Sequence, residues 1–511
     1  MRKAGPLSWL LPETLTPAQL IVEISRKFQI QATAVRKTAV TCFDSFDWRL
    51  YRKKKRLVYQ DGRWQLLRLK SGRPIVELPD SAPKPRQFAG DFPAGPLAAR
   101  LTSVLGVRAL TRVLTVDQRI QVLRVFNADE KTVAHINFRT DHISDTSVRL
   151  HTVGVKSVRG YDDAARRLIR FLHRCGVDQP VSPASLFTQS LAAAGRRPLD
   201  YSSRFSIDLT PDLTLYPAAR KIFRQLLDTM HRNEAGIRAD IDSEFLHDFR
   251  VAIRRTRSGL AQFKGVFPPD VTDTFKTAFA WLGQVTGPTR DLDVYLLFET
   301  DYMSRLPEPL GAGLAGFFTE MAAQRHGAWE KMVKTLQSVR YRQVMDDWQA
   351  CLAEDEKSWS EYPDRPVQEA ARQIIHRRYL RILKRGRAIG PASPDDDLHS
   401  LRIQCKKLRY SLEFFASLFP AAQMTRVIGQ LKGLQNNLGA FNDLSVQQAM
   451  LKGYLATIRP GSRKNQDLAA AIGGLLAALF HEQKAVRSQF VTTFKTFSGM
   501  KNVKLFARLF G

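Results

Sequence analysis

The chain repeats itself, and that constrains its fold more than any other feature. His247-Asp-Phe-Arg250-Val-Ala-Ile-Arg254-Arg255-Thr-Arg257 aligns without gaps on His399-Ser-Leu-Arg402-Ile-Gln-Cys-Lys406-Lys407-Leu-Arg409, an offset of 152 residues (247 to 399). The same offset carries Phe267-Pro268 onto Phe419-Pro420, and Gly287-Pro-Thr-Arg-Asp291-Leu-Asp-Val294 onto Gly439-Ala-Phe-Asn-Asp443-Leu-Ser-Val446. Three separate matches at one spacing define a duplicated unit. Leu, Ala, Arg, Lys and Gln recur at helical spacing from Pro211 nearly to the C-terminus, which predicts an all-α domain over 213–511, with repeat 1 at 213–365 and repeat 2 at 366–511.

Upstream the texture differs. Val22 to Ile30, Trp64 to Leu69, Arg119 to Phe126 and Thr132 to Phe138 are short, rich in Val, Ile and Phe, and alternate in polarity between turn signals such as Asp61-Gly62. Period-two alternation predicts antiparallel strands. A helical pattern runs from Asp162 to Cys175, and the Pro, Ser and Gly that follow predict a linker over 181–212. The fold class is therefore α+β in two domains, an antiparallel β domain over 15–180 and the duplicated helical domain.

Arranged on a helix at about 100° per residue, His247, Arg250, Arg254 and Arg257 form one cationic stripe less than about 90° wide. Phe249, Ala252, Ile253, Thr256, Leu260 and Phe263 fall on the opposite arc. The second copy sets His399, Arg402, Lys406 and Arg409 against Leu401, Cys405, Leu408 and Leu412, and Arg255 and Lys407 flank the two stripes. A solvated face is the ordinary reading of Lys and Arg on one helix, but such faces intersperse Glu to make i,i+4 pairs. No acid shares either stripe, so an anion site accounts for both copies better. Arginine forks grip phosphate oxygens, lysine adds point charge, and histidine can donate a hydrogen bond. Rungs about 5–6 Å apart along the axis suit a repeating polyanion. Base readout would need Asn, Gln or stacking aromatics, which the stripe lacks.

The whole-chain balance agrees: 78 Lys+Arg against 49 Asp+Glu give a formal net charge of +29, which favours polyanionic partners. Cys42, Cys175, Cys351 and Cys405 are too scattered for a disulfide framework or zinc ribbon. Gly311-Ala-Gly-Leu-Ala-Gly316 follows Pro-rich sequence rather than a strand and is no nucleotide fingerprint. Asp291 and Asp443 read as a helix cap or as partners of a nearby Arg rather than as metal ligands. The N-terminus lacks a signal-peptide core, and the longest apolar run, Ala469 to Phe480, falls short of the roughly 20 residues that span a bilayer. The expectation is a soluble cytoplasmic protein.

The duplicated His-x-x-Arg-x-x-x-Arg/Lys helix, with Arg290-Asp291-Leu-Asp-Val downstream, resembles the CHAD family, the conserved-histidine α-helical domain. That resemblance implies two four-helix units about a pseudo-twofold axis. Between them a basic groove or pore would bind inorganic polyphosphate, which also makes polyphosphate granules a candidate location. Its ligands would be His247, Arg250, Arg254, Arg257, His399, Arg402, Lys406 and Arg409, with Arg255 and Lys407 ranked second. The first domain is similar to CYTH, the triphosphate tunnel fold, in Val22-Glu23-Ile-Ser25-Arg-Lys27-Phe, in Asp47-Trp-Arg49-Leu-Tyr-Arg52, and in Trp64 to Lys70. Active members begin with Glu-x-Glu-x-Lys, whose carboxylates hold a divalent metal; here Ser25 replaces the second glutamate. The resemblance thus implies a non-catalytic β-tunnel that keeps vestigial phosphate-binding groups at Glu23, Lys27, Arg49, Arg52, Lys70 and Arg119. No cofactor is required on this reading, and neither a specific nucleic acid nor a membrane is a partner. The alternative is a triphosphatase or polyphosphatase working through the tunnel with Mg2+ or Mn2+.

Overall fold

A computed structural model describes residues 7–79, 82–354, 361, 364–459 and 461–511. The chain divides into two compact units, Met1–Ser203 and Arg204–Gly511.

The first unit is built on strands β1 (Leu7–Leu10), β2 (Ile30–Ala32), β3 (Arg36–Asp44), β4 (Lys55–Gln60), β5 (Arg63–Arg68), β6 (Pro74–Pro79), β7 (Thr111–Phe126), β8 (Thr132–Ile143), β9 (Arg149–Ser157) and β10 (Gln179–Pro180). They form one antiparallel sheet in the order β10-β1-β9-β8-β7-β3-β4-β5-β6, with β2 pairing β7. The Asp61-Gly62 turn signal is realised between β4 and β5, with both residues at positive φ, 49° and 75°, as a tight hairpin turn requires. Helices α1 (Pro17–Ser25), α2 (Arg49–Arg52), α3 (Pro96–Leu105), α4 (Asp162–Arg174) and α5 (Pro183–Ala193) accompany the sheet.

Two expectations fail here. Val22 to Ser25 is not strand but the end of α1. Thr16 and Gln19 form a capping box, Pro17 opens the helix, and Leu20 and Ile24 bury one face against Leu123, Ile136 and Val153. Capping and an i,i+4 apolar pair outweigh the local alternation. The predicted linker also contains structure. Ser182 caps α5, and Phe187 and Leu191 pack with Val40, Cys42, Trp48, Val58 and Val116. Pro183, read as loop punctuation, is the first residue of that helix.

The second unit holds α6 (Leu215–Arg238), α7 (Ser243–Gln262), α8 (Pro269–Val285), α9 (Gly287–Leu297), α10 (Glu299–Ser304), α11 (Glu308–Ala312), α12 (Ala315–Leu336), α13 (Val339–Ala353), α14 (Val367–Ala388), α15 (Asp395–Phe414), α16 (Ala421–Leu455), α17 (Arg463–Phe497) and α18 (Met500–Phe510). The sequence offset carries the starts of α6, α7 and α8 onto those of α14, α15 and α16. Among the described residues, each copy runs through four long helical courses and closes on an additional helix, α13 or α18, beyond the four the resemblance implies. Repeat 1 breaks its third course at Thr286 and adds α10 and α11, whereas α16 runs unbroken to Leu455. No helix among the described residues is long and apolar enough to cross a membrane.

Reciprocal contacts reveal a pseudo-dyad inside this unit. Leu215 N–H donates to Arg365 O at 2.9 Å and Val367 N–H to Leu213 O at 3.0 Å, two bonds that the offset interchanges. Phe263 and Phe415, also offset partners, meet with ring centroids 5.6 Å apart. Such self-complementary pairing is the mark of a twofold interface. Both rings are buried, Phe415 completely. Truncating a buried phenylalanine costs about 3–5 kcal/mol. Phe415→Ala should therefore lower the stability of the helical unit by that amount, measured by denaturant unfolding, whereas a change under about 1 kcal/mol would show that the axis is not a core.

Candidate anion-binding groove

Helices α7 and α15 carry the stripes. Asp242 caps α7, accepting from Glu244 N–H at 2.9 Å and Phe245 N–H at 3.3 Å. Asp395, Asp396 and Asp397 fill the first turn of α15, where the helix dipole favours negative charge. The apolar arcs are buried as the wheel predicts: Phe249, Ile253 and Leu260 in α7; Leu401, Cys405, Leu408 and Leu412 in α15.

The stripes meet at the pseudo-dyad. Arg254 and Lys406 are offset partners, and Arg254 helps to depress the Lys406 pKa. Burial is the larger cause, then Arg402 and Arg254; only Asp443 opposes them, and the ammonium is pushed down to about 8. Arg250 is brought to about 10, by burial first and then by Arg254, with Asp291 acting in its favour. Its Nη1 donates to Gly283 O and to Thr286 Oγ1, each at 2.8 Å. Arg402 instead pairs with Asp443 at 3.2 Å, which makes that repeated aspartate a partner of the stripe arginine. The Nε–H groups of Arg250 and Arg254 are buried with no hydrogen-bond partner among the described residues.

The histidines stand at the leading end of each stripe. His247 is half-buried on α7. His399 is exposed, and its Nδ1 lies 2.6 Å from Asn442 Oδ1; with an amide oxygen as acceptor, Nδ1 carries the proton. Arg257 is exposed. Arg409 is held by Glu413, Nε to Oε1, at 2.7 Å.

The flanking residues leave the groove. Arg255 pairs with Glu413 at 2.6 Å, both side chains nearly buried, and its guanidinium lies over the Phe205 and Tyr410 rings. Lys407 faces Arg378, Arg381 and Arg385. Sequence reasoning missed Arg290 as a member of the groove. Its Nη1 donates to Ser243 O at 3.2 Å, and burial lowers its pKa, with Arg254 adding to the effect. The signal was present, because Arg290 lies in the repeated Gly-Pro-Thr-Arg-Asp segment and aligns on Asn442, the partner of His399.

The six candidates in the first unit do not converge. Glu23 pairs with Arg26 at 2.5 Å on the outside of α1, and with Lys27 it lies beside Cys175. Arg49 and Arg52 are engaged at α2, with the Asp47 carboxylate and the Asp47 carbonyl respectively, both at 3.1 Å. Lys70 is exposed beyond β5. Arg119 lines a separate cavity with Lys37, His142, Arg149 and His151. The basic groups that the sheet does gather inside are Arg56 and Arg139, the latter bonded to Asp141 by Nε at 2.7 Å, beside a small cavity of about 70 Å³. Among the described residues, no group of three or more His, Cys, Asp or Glu side chains could hold a metal ion.

Residues 221–452 match the family model described as the CHAD domain. Among solved structures, the CHAD domain from the plant Ricinus communis is 24% identical, with 58% of this chain and 96% of that chain covered and a TM-score of 0.49. PptA from Streptomyces chartreusis is 17% identical, with 55% and 100% covered and a TM-score of 0.44. No curated protein matches the chain.

Lys406 makes the groove sensitive to pH. With its pKa near 8 against an ordinary 10.5, the folded state binds this proton more weakly than the unfolded chain. Its charge therefore opposes folding at neutral pH, and the penalty fades as pH rises from about 8 towards 10.5. A bound anion reverses the shift. Binding at about pH 8.5 should then take up protons, seen as a dependence of calorimetric enthalpy on buffer ionisation enthalpy, and Lys406→Arg should remove most of it. Equal enthalpies in all buffers would place Lys406 outside the site.

Proposed function

We propose that this chain, whose residues 221–452 are a CHAD domain, binds inorganic polyphosphate along the groove where the α7 and α15 stripes meet. The observation that carries the reading is that the stripe helices α7 and α15 lie together, Arg255 of one bonded to Glu413 of the other, with the buried Nε–H groups of Arg250 and Arg254 lacking a partner among the described residues. Like charges close together and partly removed from water are stable only at a cost, and a polyanion relieves it. CHAD domains are linked to polyphosphate binding in general, which supports the same reading.

The groove residues suit condensed phosphate. Arg250, Arg254 and Arg402 offer planar forks, Lys406 a compact charge, and the two histidines additional donors. Asp291 and Asp443 offset part of this charge, so an anion meets a net cationic surface rather than a neutral one. The role in this chain is capture of the polymer, not its cleavage. A metal-dependent triphosphatase would need Glu23 on the sheet, and it lies on α1 instead, so no observation favours that alternative.

Each hydrogen bond to a charged group contributes about 1.5–3 kcal/mol. Arg254→Ala/Lys406→Ala should weaken binding of long-chain polyphosphate by roughly 100-fold or more, measured by calorimetry at fixed salt, with helical content unchanged. Wild-type affinity should fall steeply with salt, with a log–log slope of about −3 for four or five contacted phosphates. Unchanged affinity in the double variant, or equal affinity for a DNA strand of matched charge, would falsify the reading.

A further inference from the structure

A second basic cluster lies away from the two stripes, around a cavity that residues of both repeats line. Lys407 follows Lys406 in sequence but stands about 100° further around α15, where its neighbours are Arg378, Arg381 and Arg385 of α14. Arg378 is fixed in place. Its Nε donates to Oε1 of buried Gln262 at 2.8 Å, the same oxygen accepts from Ser411 Oγ, and Gln262 Nε2 donates to Ser258 Oγ at 2.6 Å. Arg378 then lines a cavity of about 170 Å³ together with Lys264, Arg365, Arg377 and Arg381. That volume holds roughly five water-sized groups.

The electrostatics of the cluster are one-sided. Burial, then Arg381 and Arg377, bring Arg378 down to about 10. Burial, then Arg378, Arg381 and Arg385, lower Lys407. No carboxylate figures among these influences. The cavity lining contains no aromatic ring on which a base could stack.

The cluster breaks the pseudo-symmetry of the unit. The offset maps Arg378, Arg381 and Arg385 onto Leu226, Thr229 and Asn233 of α6, of which Leu226 and Asn233 are buried. It maps Lys407 onto Arg255, which is committed to Glu413. Among the described residues, the place related to this cavity by the axis therefore has no equivalent set of cations, and Lys264 and Arg365 of repeat 1 contribute to the one cavity.

We propose that the basic cavity lined by Lys264, Arg365, Arg377, Arg378 and Arg381, with Lys407 nearby, is a second phosphate-binding site, without a counterpart across the axis, that takes a short run of condensed phosphate. It rests on the polyphosphate reading of the groove at the axis and adds an independent point of attachment. Guanidinium forks around a small cavity without acids or aromatics select phosphate oxygens over bases. A long polymer can engage both sites on one molecule, and the second contact is then intramolecular.

The test titrates the full chain with tripolyphosphate and with long-chain polyphosphate at about 0.15 M salt, the ionic strength that screens non-specific attraction. Wild type should bind two tripolyphosphates. Arg377→Gln/Arg381→Gln, at exposed positions that line the cavity, should bind one, with its melting temperature unchanged and its long-chain affinity reduced about tenfold, as loss of one of two linked contacts implies. Arg254→Ala/Lys406→Ala should also bind one. Lys264→Gln provides a second route to the same loss. A wild-type stoichiometry of one, or two sites surviving Arg377→Gln/Arg381→Gln, overturns the second site and leaves the site between the stripes standing. No binding of either probe to wild type removes both. Equal competition by a DNA strand of matched charge at this cavity overturns the assignment to condensed phosphate.

Discussion

An axis that relates two copies of one sequence brings residues beside it to face their own counterparts. In this helical unit the rule supplies both the adhesive and the strain. Phe263 meets Phe415, and the backbone at Leu215 exchanges hydrogen bonds with its equivalent at Val367. Arg254 comes near Lys406 by the same rule. Burying a phenylalanine contributes about 1.5–3 kcal/mol, so the aromatic pair on the axis works against the mutual repulsion of the cations that the same symmetry gathers.

The first unit solves a different problem with the same economy of parts. A sheet this large needs its faces covered. Helices α1 and α4 pack on Leu123, Ala134, Ile136 and Val153, while α5 sets Phe187 and Leu191 against Val40, Cys42 and Val116. Arg56 and Arg139 remain near the cavity beside α5. The apolar side chains of α5 thus fill space that a phosphate-lined interior would leave to water and charge.

Much of the helical unit was legible because duplication doubles the signal. The wheel of α7 separated Arg250 and Arg254 from Phe249 and Ile253, and the copy in α15 repeated the division with Arg402 and Lys406 against Leu401 and Cys405. Legibility ended where neighbours are set by tertiary packing. Nothing local reveals that Arg255 finds Glu413 of the other repeat, or that Arg378 is steered by Gln262. Arg290 joins the groove because α9 folds back on α7, a fact of topology rather than of spacing. The error at α1 has another origin. Val22, Ile24, Phe28 and Ile30 alternate well enough to read as strand, but Thr16, Pro17 and Gln19, upstream of that window, commit the chain to a helix first.

The pseudo-dyad also bears on the direction in which a polymer can lie. Chains of nucleotides or amino acids have distinct ends, so a site with twofold character can match them in only one sense at a time. Condensed phosphate reads the same from either end. Reversed, it would present to Arg250 and Arg254 the same row of oxygens that it would present to Arg402 and Lys406. What distinguishes the two halves is the set of positions where the copies differ, among them Arg254 against Lys406, Arg290 against Asn442 and Thr286 against Leu438. A twofold arrangement of this kind would suit a ligand without polarity, and its residual asymmetry would decide only which half grips that ligand more tightly.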